Sequence, residues 1–269
     1  MKILVLGDEC TDVFVCGETK RLSPEAPVPV LTPIETLRNP GMAGNVEANL
    51  RAMGYDPIKI TNMTRVHPRF AEASPYTNTA IVKTRYIDRS TGYILLRVDE
   101  NDMVTQPGSK ELVKKNLVRD ISSFDLVIVA DYNKGFLTED LMKWVFKKSK
   151  CSFLDTKREI GTWAEDVTYI KINDKEFNNF SHKKFLSSEQ MANKVIVTEG
   201  GSGCRIQNEH RYVNRVEVRD VSGAGDTFMA AVATKFIECD NIWTAMEWGN
   251  KCARQVVQQR GVTTIQCLT

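Results

Sequence analysis

The sequence predicts an α/β fold built on a mostly parallel sheet, and three observations support that prediction. From Ser109 onward, apolar runs of strand length alternate with segments whose apolar residues recur at helical spacing. The predicted strand at 126–130 is apolar throughout, as expected when helices cover both faces of a sheet. Polar residues follow directly after several of these strands, where parallel sheets place ligand sites. A chain of 269 residues can also bury a sizeable core.

The composition bounds the possible partners and the compartment. Lys and Arg number 36 against 34 Asp and Glu, a balance that gives no support to nucleic acid or an anionic membrane as main partner. No apolar run approaches the ~20 residues needed to cross a bilayer, and the N-terminal segment becomes acidic too soon for a signal peptide. The seven cysteines are scattered and odd in number, which is typical of reduced thiols. We therefore expect a cytoplasmic protein.

The first hundred residues predict one buried strand, one helix and several extended segments. Residues 2–6 form a short apolar run that ends at Gly7 and Asp8, as expected of a buried strand. The segment 23–30 holds three prolines within six residues, so it suits an extended edge or lid element better than a helix or a central strand. The other elements predicted here are a helix over 41–53, a strand over 58–61 and a hairpin formed by 79–87 and 93–98.

From Ser109 onward, the pattern predicts alternating helices and strands with polar residues at the strand ends. Ser109 can cap a helix, and the strand over 126–130 leads into Asp131 and Lys134. Because ligands bind at the carboxyl ends of parallel strands, these two residues are candidates for a binding site. The later strands are predicted over 152–154, 168–172 and 194–197, and the last helix over 245–257.

The stretch 220–228, Asp-Val-Ser-Gly-Ala-Gly-Asp-Thr-Phe, carries the strongest functional signal. Apolar residues follow it at helical spacing, so it predicts a glycine turn that opens a helix. Such a turn can bind an anion through unpaired N–H groups, and Gly223 and Gly225 allow close approach to the backbone. Asp226, in the first helical turn, can accept a proton. Together these features suit phosphoryl transfer to a hydroxyl group.

A plain glycine loop before a buried helix is the alternative, and it is the usual meaning of Gly-x-Gly alone. The stretch is not a dinucleotide-binding motif, because position 228 is Phe, and no Walker loop occurs in the chain. It resembles the C-terminal signature of the ribokinase/PfkB family of sugar kinases. Segments 7–12, 21–30, 40–49 and 131–135 are similar to motifs of the D-glycero-D-manno-heptose 7-phosphate kinases, a branch of that family.

The resemblance extends from residue 3 to about 265 and implies a fold and a reaction. The implied fold is a ribokinase-like three-layer sandwich over 1–269, with a mostly parallel central sheet and a small β-sheet lid from segments at about 13–34 and 79–98. The implied reaction uses ATP and Mg²⁺ to phosphorylate a sugar phosphate, most closely a heptose 7-phosphate at its anomeric hydroxyl. The chain leaves no room for the nucleotidyltransferase domain sometimes fused to such kinases, so the kinase step alone is expected. Lid pairing implies a homodimer.

The same resemblance implies roles for individual residues. Catalysis would depend on the proton acceptor Asp226 and on the anion-binding turn of Gly223, Ala224 and Gly225. The implied substrate-binding residues are Asp12, Gly41, Gly44, Asn45, Arg85, Asp131 and Lys134. The implied nucleotide-binding residues are Asn173, Glu176, Thr198, Gly200, Gly203 and Asn250, with Glu176 also organising Mg²⁺ through water.

Alternatives to these roles stay open at this point. Asn45 and Asn173 each lie where an Asn caps a helix as often as it binds a ligand. Lys83 and Arg85 are either solvated lid charges or contacts to a substrate phosphate. Departures from the family pattern, such as Met42, leave two rival functions. One is a PfkB kinase of another sugar or nucleoside, and the other is a kinase-fold protein that binds ligands without turnover.

Overall fold

Strands and helices alternate along the computed structural model, which describes residues 1–64, 80–117, 119–179, 188–259 and 261–266. Within them the strands are β1 (Ile3–Gly7), β2 (Glu9–Leu22), β3 (Pro29–Met42), β4 (Ile58–Thr61), β5 (Ile81–Asp88), β6 (Ile94–Glu100), β7 (Leu126–Asp131), β8 (Ser152–Thr156), β9 (Tyr169–Asn173), β10 (Val195–Thr198), β11 (Cys204–Ile206) and β12 (Glu209–Arg211). The α-helices are α1 (Ala43–Ala52), α2 (Lys110–Asn116), α3 (Glu139–Lys148), α4 (Asp174–Asn179), α5 (Glu189–Ala192), α6 (Ala224–Cys239) and α7 (Ile242–Val256).

The larger sheet is mostly parallel, as predicted. Its eight strands lie in the order β12-β11-β10-β9-β8-β7-β1-β4. The six strands from β10 to β4 are parallel, while β11 and β12 form an antiparallel edge. The carboxyl ends of β7, β8, β9 and β10 therefore meet at one edge of the sheet.

Helices cover both faces of this sheet, which gives three layers. Along β1, Ile3 and Val5 belong to an apolar cluster with residues of α1, α6 and α7. Leu4 and Leu6 point to the other face and belong to a cluster with α2 and α3. The alternation follows from the two-residue period of a strand, and burial on both sides explains the continuous apolar runs. The predicted three-layer α/β fold with a mostly parallel central sheet is confirmed.

The smaller sheet has the strand order β3-β2-β5-β6 and begins directly after β1, with Asp8 between β1 and β2. Strand β2 is antiparallel to β3 and parallel to β5, and β5 is antiparallel to β6. The prolines of β3 are tolerated because β3 is an edge strand. The lid strands are longer than predicted, since β2 and β3 together span most of 9–42.

The starts of two helices differ from the sequence predictions. The helix expected from Gly41 begins at Ala43, because Gly41 and Met42 still pair with β2. The last helix begins at Ile242, where the side chain of Asn241 caps it by accepting from Thr244 N–H at 3.0 Å. Most of the segment 63–78 lies outside the described residues. Among those described, no helix is both long and apolar enough to cross a membrane.

Candidate active site

A cavity of about 830 Å³ opens at the carboxyl ends of β9 and β10, beside the start of α6. Its walls include apolar residues of the loop before α6 and of α7, such as Val218 and Val257. The residues predicted from sequence that line it are Asn173, Thr198, Gly200, Gly203, Ala224, Gly225 and Asn250. The structure therefore brings together five of the six predicted nucleotide-binding residues and part of the predicted anion-binding turn.

Asp226 is buried in the first turn of α6, with 4% of its surface exposed. Its Oδ1 accepts a hydrogen bond from the Tyr132 hydroxyl at 2.5 Å, and its Oδ2 accepts one from Asn45 Nδ2 at 3.0 Å. Burial raises the pKa of the Asp226 carboxyl to about 6, and these two hydrogen bonds oppose that rise. A carboxylate with a pKa close to neutrality is suited to accept a proton from a hydroxyl group.

Asn45 links Asp226 to the glycine turn. Its Nδ2 also donates to the carbonyl of Gly223 at 3.3 Å, while its Oδ1 accepts from Asn49 Nδ2 at 3.1 Å. Gly223 has φ +79°, and a Cβ there would lie 2.5 Å from Asn45 Nδ2, so both conformation and space require glycine. Sequence reasoning gave Asn45 a sugar contact and gave Asn49 no role. Asn45 and Asn49 are four residues apart on one face of α1, and this spacing is the sequence signal that their side chains can contact each other.

One side of the cavity contains a row of alternating positive and negative side chains. Lys171 Nζ contacts Asp155 Oδ2 at 2.8 Å, and the other oxygen of Asp155 lies 3.5 Å from Lys157 Nζ. Lys157 in turn pairs with Glu176 at 2.7 Å. A Cβ on Gly225 would lie 2.8 Å from Lys171 Nζ, which shows how close this ammonium is to the turn. Sequence reasoning missed Lys171, although a lysine inside a buried strand is itself an unusual feature.

Burial and the neighbouring charges have opposite effects on the pKa values of Asp155 and Lys157. Burial would raise the pKa of Asp155, but Lys171 and Lys157 outweigh it and hold that pKa below its ordinary value. Burial would likewise lower the pKa of Lys157, but Asp155 and Glu176 raise it on balance. Asp155 and Lys157 are therefore charged at neutral pH and stabilise each other.

Asn173 and Glu176 cap each other at the start of α4. Glu176 Oε2 accepts from Asn173 N–H at 2.9 Å, and Asn173 Oδ1 accepts from Glu176 N–H at 2.8 Å. The capping interpretation of Asn173 therefore describes its contacts in this structure. Because Lys157 holds the other oxygen of Glu176, a Mg²⁺ ion fits here through bridging water better than through a direct bond to the carboxylate.

The predicted sugar-binding residues of the small sheet also converge. Asp12 on β2 pairs with Arg85 on β5 at 2.6 Å, and a Cβ on Gly41 would collide with the Asp12 carboxylate. Burial raises the pKa of the Cys10 thiol, and the nearby carboxylates of Asp12 and Asp226 raise it further. Cys10 therefore lies in the field of both Asp12 and Asp226. The last residue of this group, Gly44, adjoins Glu9, whose Oε1 would lie 2.9 Å from an added Cβ.

Asp131 and Lys134 are held by other protein groups. Asp131 is fully buried and accepts from Arg158 Nε at 2.9 Å and from the Thr156 hydroxyl at 2.7 Å. Lys134 pairs with Asp102 at 2.6 Å. The loop that carries both is fixed by Asp8, which accepts from the N–H groups of three of its residues, Tyr132, Lys134 and Phe136. Thr156 thus supplies a hydrogen bond to Asp131.

Known proteins share both the sequence pattern and the fold of this chain. Residues 73–267 match the pattern of the pfkB family carbohydrate kinases. The bifunctional protein HldE of Granulibacter bethesdensis is 29% identical over 307 residues, which cover 98% of this chain and 63% of that protein. The bifunctional protein HldE of Nitratiruptor sp. is 32% identical over 291 residues, which cover 98% of this chain and 63% of that protein. The chain thus spans less than two thirds of the length of these relatives.

Solved structures of sugar kinases share the fold at low sequence identity. Ribokinase from Thermotoga maritima superposes with a TM-score of 0.68 at 19% identity, covering 97% of this chain and 94% of that one. Ribokinase from Arabidopsis thaliana, complexed with ribose and ATP, superposes with a TM-score of 0.67 at 16% identity. The superposition covers 98% of this chain and 95% of that one. The fold and the site define a carbohydrate kinase. This chain belongs to the pfkB family of carbohydrate kinases, which phosphorylate sugars with ATP.

Proposed function

We propose that this kinase phosphorylates a sugar phosphate, and that its substrate is D-glycero-D-manno-heptose 7-phosphate, which becomes the 1,7-bisphosphate. The observation that carries the reaction is the buried carboxylate of Asp226, hydrogen-bonded on both oxygens beside the glycine turn and Lys171. The choice of sugar is supported by the N-terminal motifs and by the HldE relatives. The cations Lys83 and Arg85 in the small sheet support a phosphorylated substrate.

In the proposed mechanism, Asp226 accepts the proton of the attacking sugar hydroxyl. The first-turn N–H groups of Gly225 and Asp226 have no carbonyl four residues earlier within α6, so they can face the oxygens of the transferring phosphoryl group. Lys171 adds a fixed positive charge at the same turn. Closure of the small sheet over the sugar excludes water that would otherwise hydrolyse ATP.

Nucleotide binding falls to the cavity beside α6 and α7, whose lining includes Asn250, Thr198 and residues of the glycine turn at 200–203. Mg²⁺, when bound, would neutralise charge on the phosphates, and Asn173 and Glu176 would hold it through water. We propose that 1–269 acts as one kinase domain. We place it in the cytoplasm, where buried thiols such as Cys151 and Cys204 stay reduced.

We also propose a homodimer formed through the small sheet. Strand β6 is an edge strand whose residues are all exposed, and several of them are large and apolar, including Ile94, Leu96 and Val98. An edge of this kind is a ready template for pairing with a second copy.

The test of function is ATP consumption with Mg²⁺ across a panel of heptose 7-phosphate, fructose phosphates, ribose, fructose and adenosine. We expect turnover on the heptose phosphate and a loss of about 10²–10⁴-fold in Asp226→Asn, with ATP binding retained. A variant that keeps more than a tenth of the wild-type rate would contradict the assignment of Asp226. ATP binding without turnover on any sugar of the panel would favour a non-catalytic protein or a different sugar.

A further inference from the structure

Tyr132 lies between the two halves of the site, and the motif that contains it suggested no role for it. It follows β7 directly, and Asp8 fixes its backbone by accepting its N–H at 2.9 Å. Its hydroxyl donates to Asp226 Oδ1 at 2.5 Å. Its ring lies under the ammonium of Lys157, 5.2 Å from the ring centre, and lines the nucleotide cavity. One side chain thus contacts both the proton acceptor and a cation of the phosphate site.

We propose that Tyr132 is a positioning residue for phosphoryl transfer, whose hydroxyl fixes the Asp226 carboxylate and whose ring supports Lys157. The inference rests on the proposed function, because it requires Asp226 to accept a proton. With Oδ1 held by Tyr132 and Oδ2 by Asn45, the carboxylate plane cannot rotate freely. Each oxygen of an ionised carboxylate can accept a second hydrogen bond, so capacity remains for a sugar hydroxyl.

The electrostatics of the contact agree with this role. Burial raises the pKa of the Tyr132 hydroxyl well above 10, and the charge of Asp226 raises it further, so the hydroxyl remains a donor throughout the working pH range. The hydrogen bond favours the ionised carboxylate and opposes the effect of burial on Asp226. The other titratable groups that face Asp226 are Asp155 on β8, Lys157 after β8, Lys171 on β9 and Cys10 on β2.

Tyr132→Phe removes the hydroxyl and keeps the ring, so it separates the two parts of the role. A hydrogen bond to a charged group is worth enough to move a pKa by about one unit. We therefore expect the acid limb of kcat/KM to move up by about one pH unit and kcat to fall about tenfold. The dissociation constant for ATP should change less than twofold. Tyr132→Leu also removes the ring and should weaken ATP binding about threefold further.

Tyr55→Phe is the matched control, because the Tyr55 hydroxyl donates to Glu238 Oε1 at 2.6 Å on the surface. It should leave the pH profile and the ATP affinity unchanged. Thermal unfolding of all three variants is measured alongside, so that a loss of folded protein is separated from a shift in the pH limb.

An unshifted acid limb and an unchanged kcat in folded Tyr132→Phe would overturn the inference while leaving the proposed function intact. Failure of the proposed function gives a different result, because Asp226→Asn would then keep the wild-type rate and pH profile. A shifted limb together with unchanged ATP affinity supports the positioning role of the hydroxyl. If Tyr132→Leu binds ATP as tightly as Tyr132→Phe, the support of Lys157 by the ring is refuted.

Discussion

Replacing Lys171 by methionine should separate what its ammonium does for stability from what it does for catalysis. Lys171 and Asp155 are 4% and 2% exposed, and they form a buried ion pair at 2.8 Å. Breaking such a pair by removing one partner costs about 3–5 kcal/mol, because the other charge stays buried. Lys157 still lies 3.5 Å from Asp155, so we expect a loss near the lower limit, about 3 kcal/mol.

The double variant Lys171→Met/Asp155→Leu removes both charges. Because apolar replacements of a buried ion pair are often neutral, the double variant should regain stability to within about 1 kcal/mol of the wild type. Urea unfolding monitored by tryptophan fluorescence measures the free energy of unfolding of the single and the double variant. A double variant as unstable as Lys171→Met would mean that the packing at this position, and not its charge, determines the stability.

Catalysis should respond differently. If Lys171 stabilises charge on the transferring phosphoryl group, the single and double variants both lose about 10²–10³-fold in kcat, although the double variant is stable. The assay is ADP release at pH 7.5. Lys59→Met is the control, because Lys59 pairs with Glu9 and Glu47 at 2.6 and 2.7 Å on β4, four strands away from β9. It should lose stability and keep kcat. A double variant within tenfold of the wild-type kcat would refute the role of Lys171.

Two further predictions concern stability and assembly. The folded pKa of Asp226, about 6, lies above its ordinary value of 3.8, so its stabilising contribution is present below about pH 4 and is lost as the pH rises through 6. Asp226→Asn should therefore raise the free energy of unfolding by about 3 kcal/mol at pH 7.5 and by almost nothing at pH 4, as measured by urea unfolding. Leu96→Glu places a charge on the exposed edge strand β6, where a second copy would pair. Sedimentation should therefore show a dimer for the wild type and a monomer for the variant. A monomeric wild type would contradict the proposed dimer.

The elements with strong local patterns could be predicted from sequence, and those defined by pairing could not. Strand β7 was expected over 126–130 and spans Leu126–Asp131, because both of its faces are buried and its sequence is continuously apolar. Strand β3 runs from Pro29 to Met42 with most of its residues exposed, so no burial pattern marks its length. Its extent is set by the partner strand β2, through contacts that a local pattern does not contain.

The same distinction applies to the site. The glycine turn and Asp226 could be predicted because a local motif encodes them. Asp131 was expected to face a ligand, since it ends a parallel strand, but Arg158 binds its carboxylate from the end of β8, 27 residues later. Lys171 and Tyr132 were missed for the related reason that their contacts are with residues of other structural elements, which a local pattern does not contain.

The pairing of charges explains why the role of each cation in this site was hard to predict from that residue alone. Lys157 is held by Glu176, Lys171 by Asp155 and Arg85 by Asp12, and in each pair the two residues lie on different structural elements. An anionic substrate must therefore compete with a carboxylate for each cation, and only a ligand with several well-placed negative oxygens can do so at once. Asp226 has no such cation within hydrogen-bonding contact among the described residues, and its two contacts are with the neutral groups of Tyr132 and Asn45. Burial therefore raises the pKa of Asp226 to about 6, whereas Lys171 and Lys157 hold the pKa of Asp155 below its ordinary value.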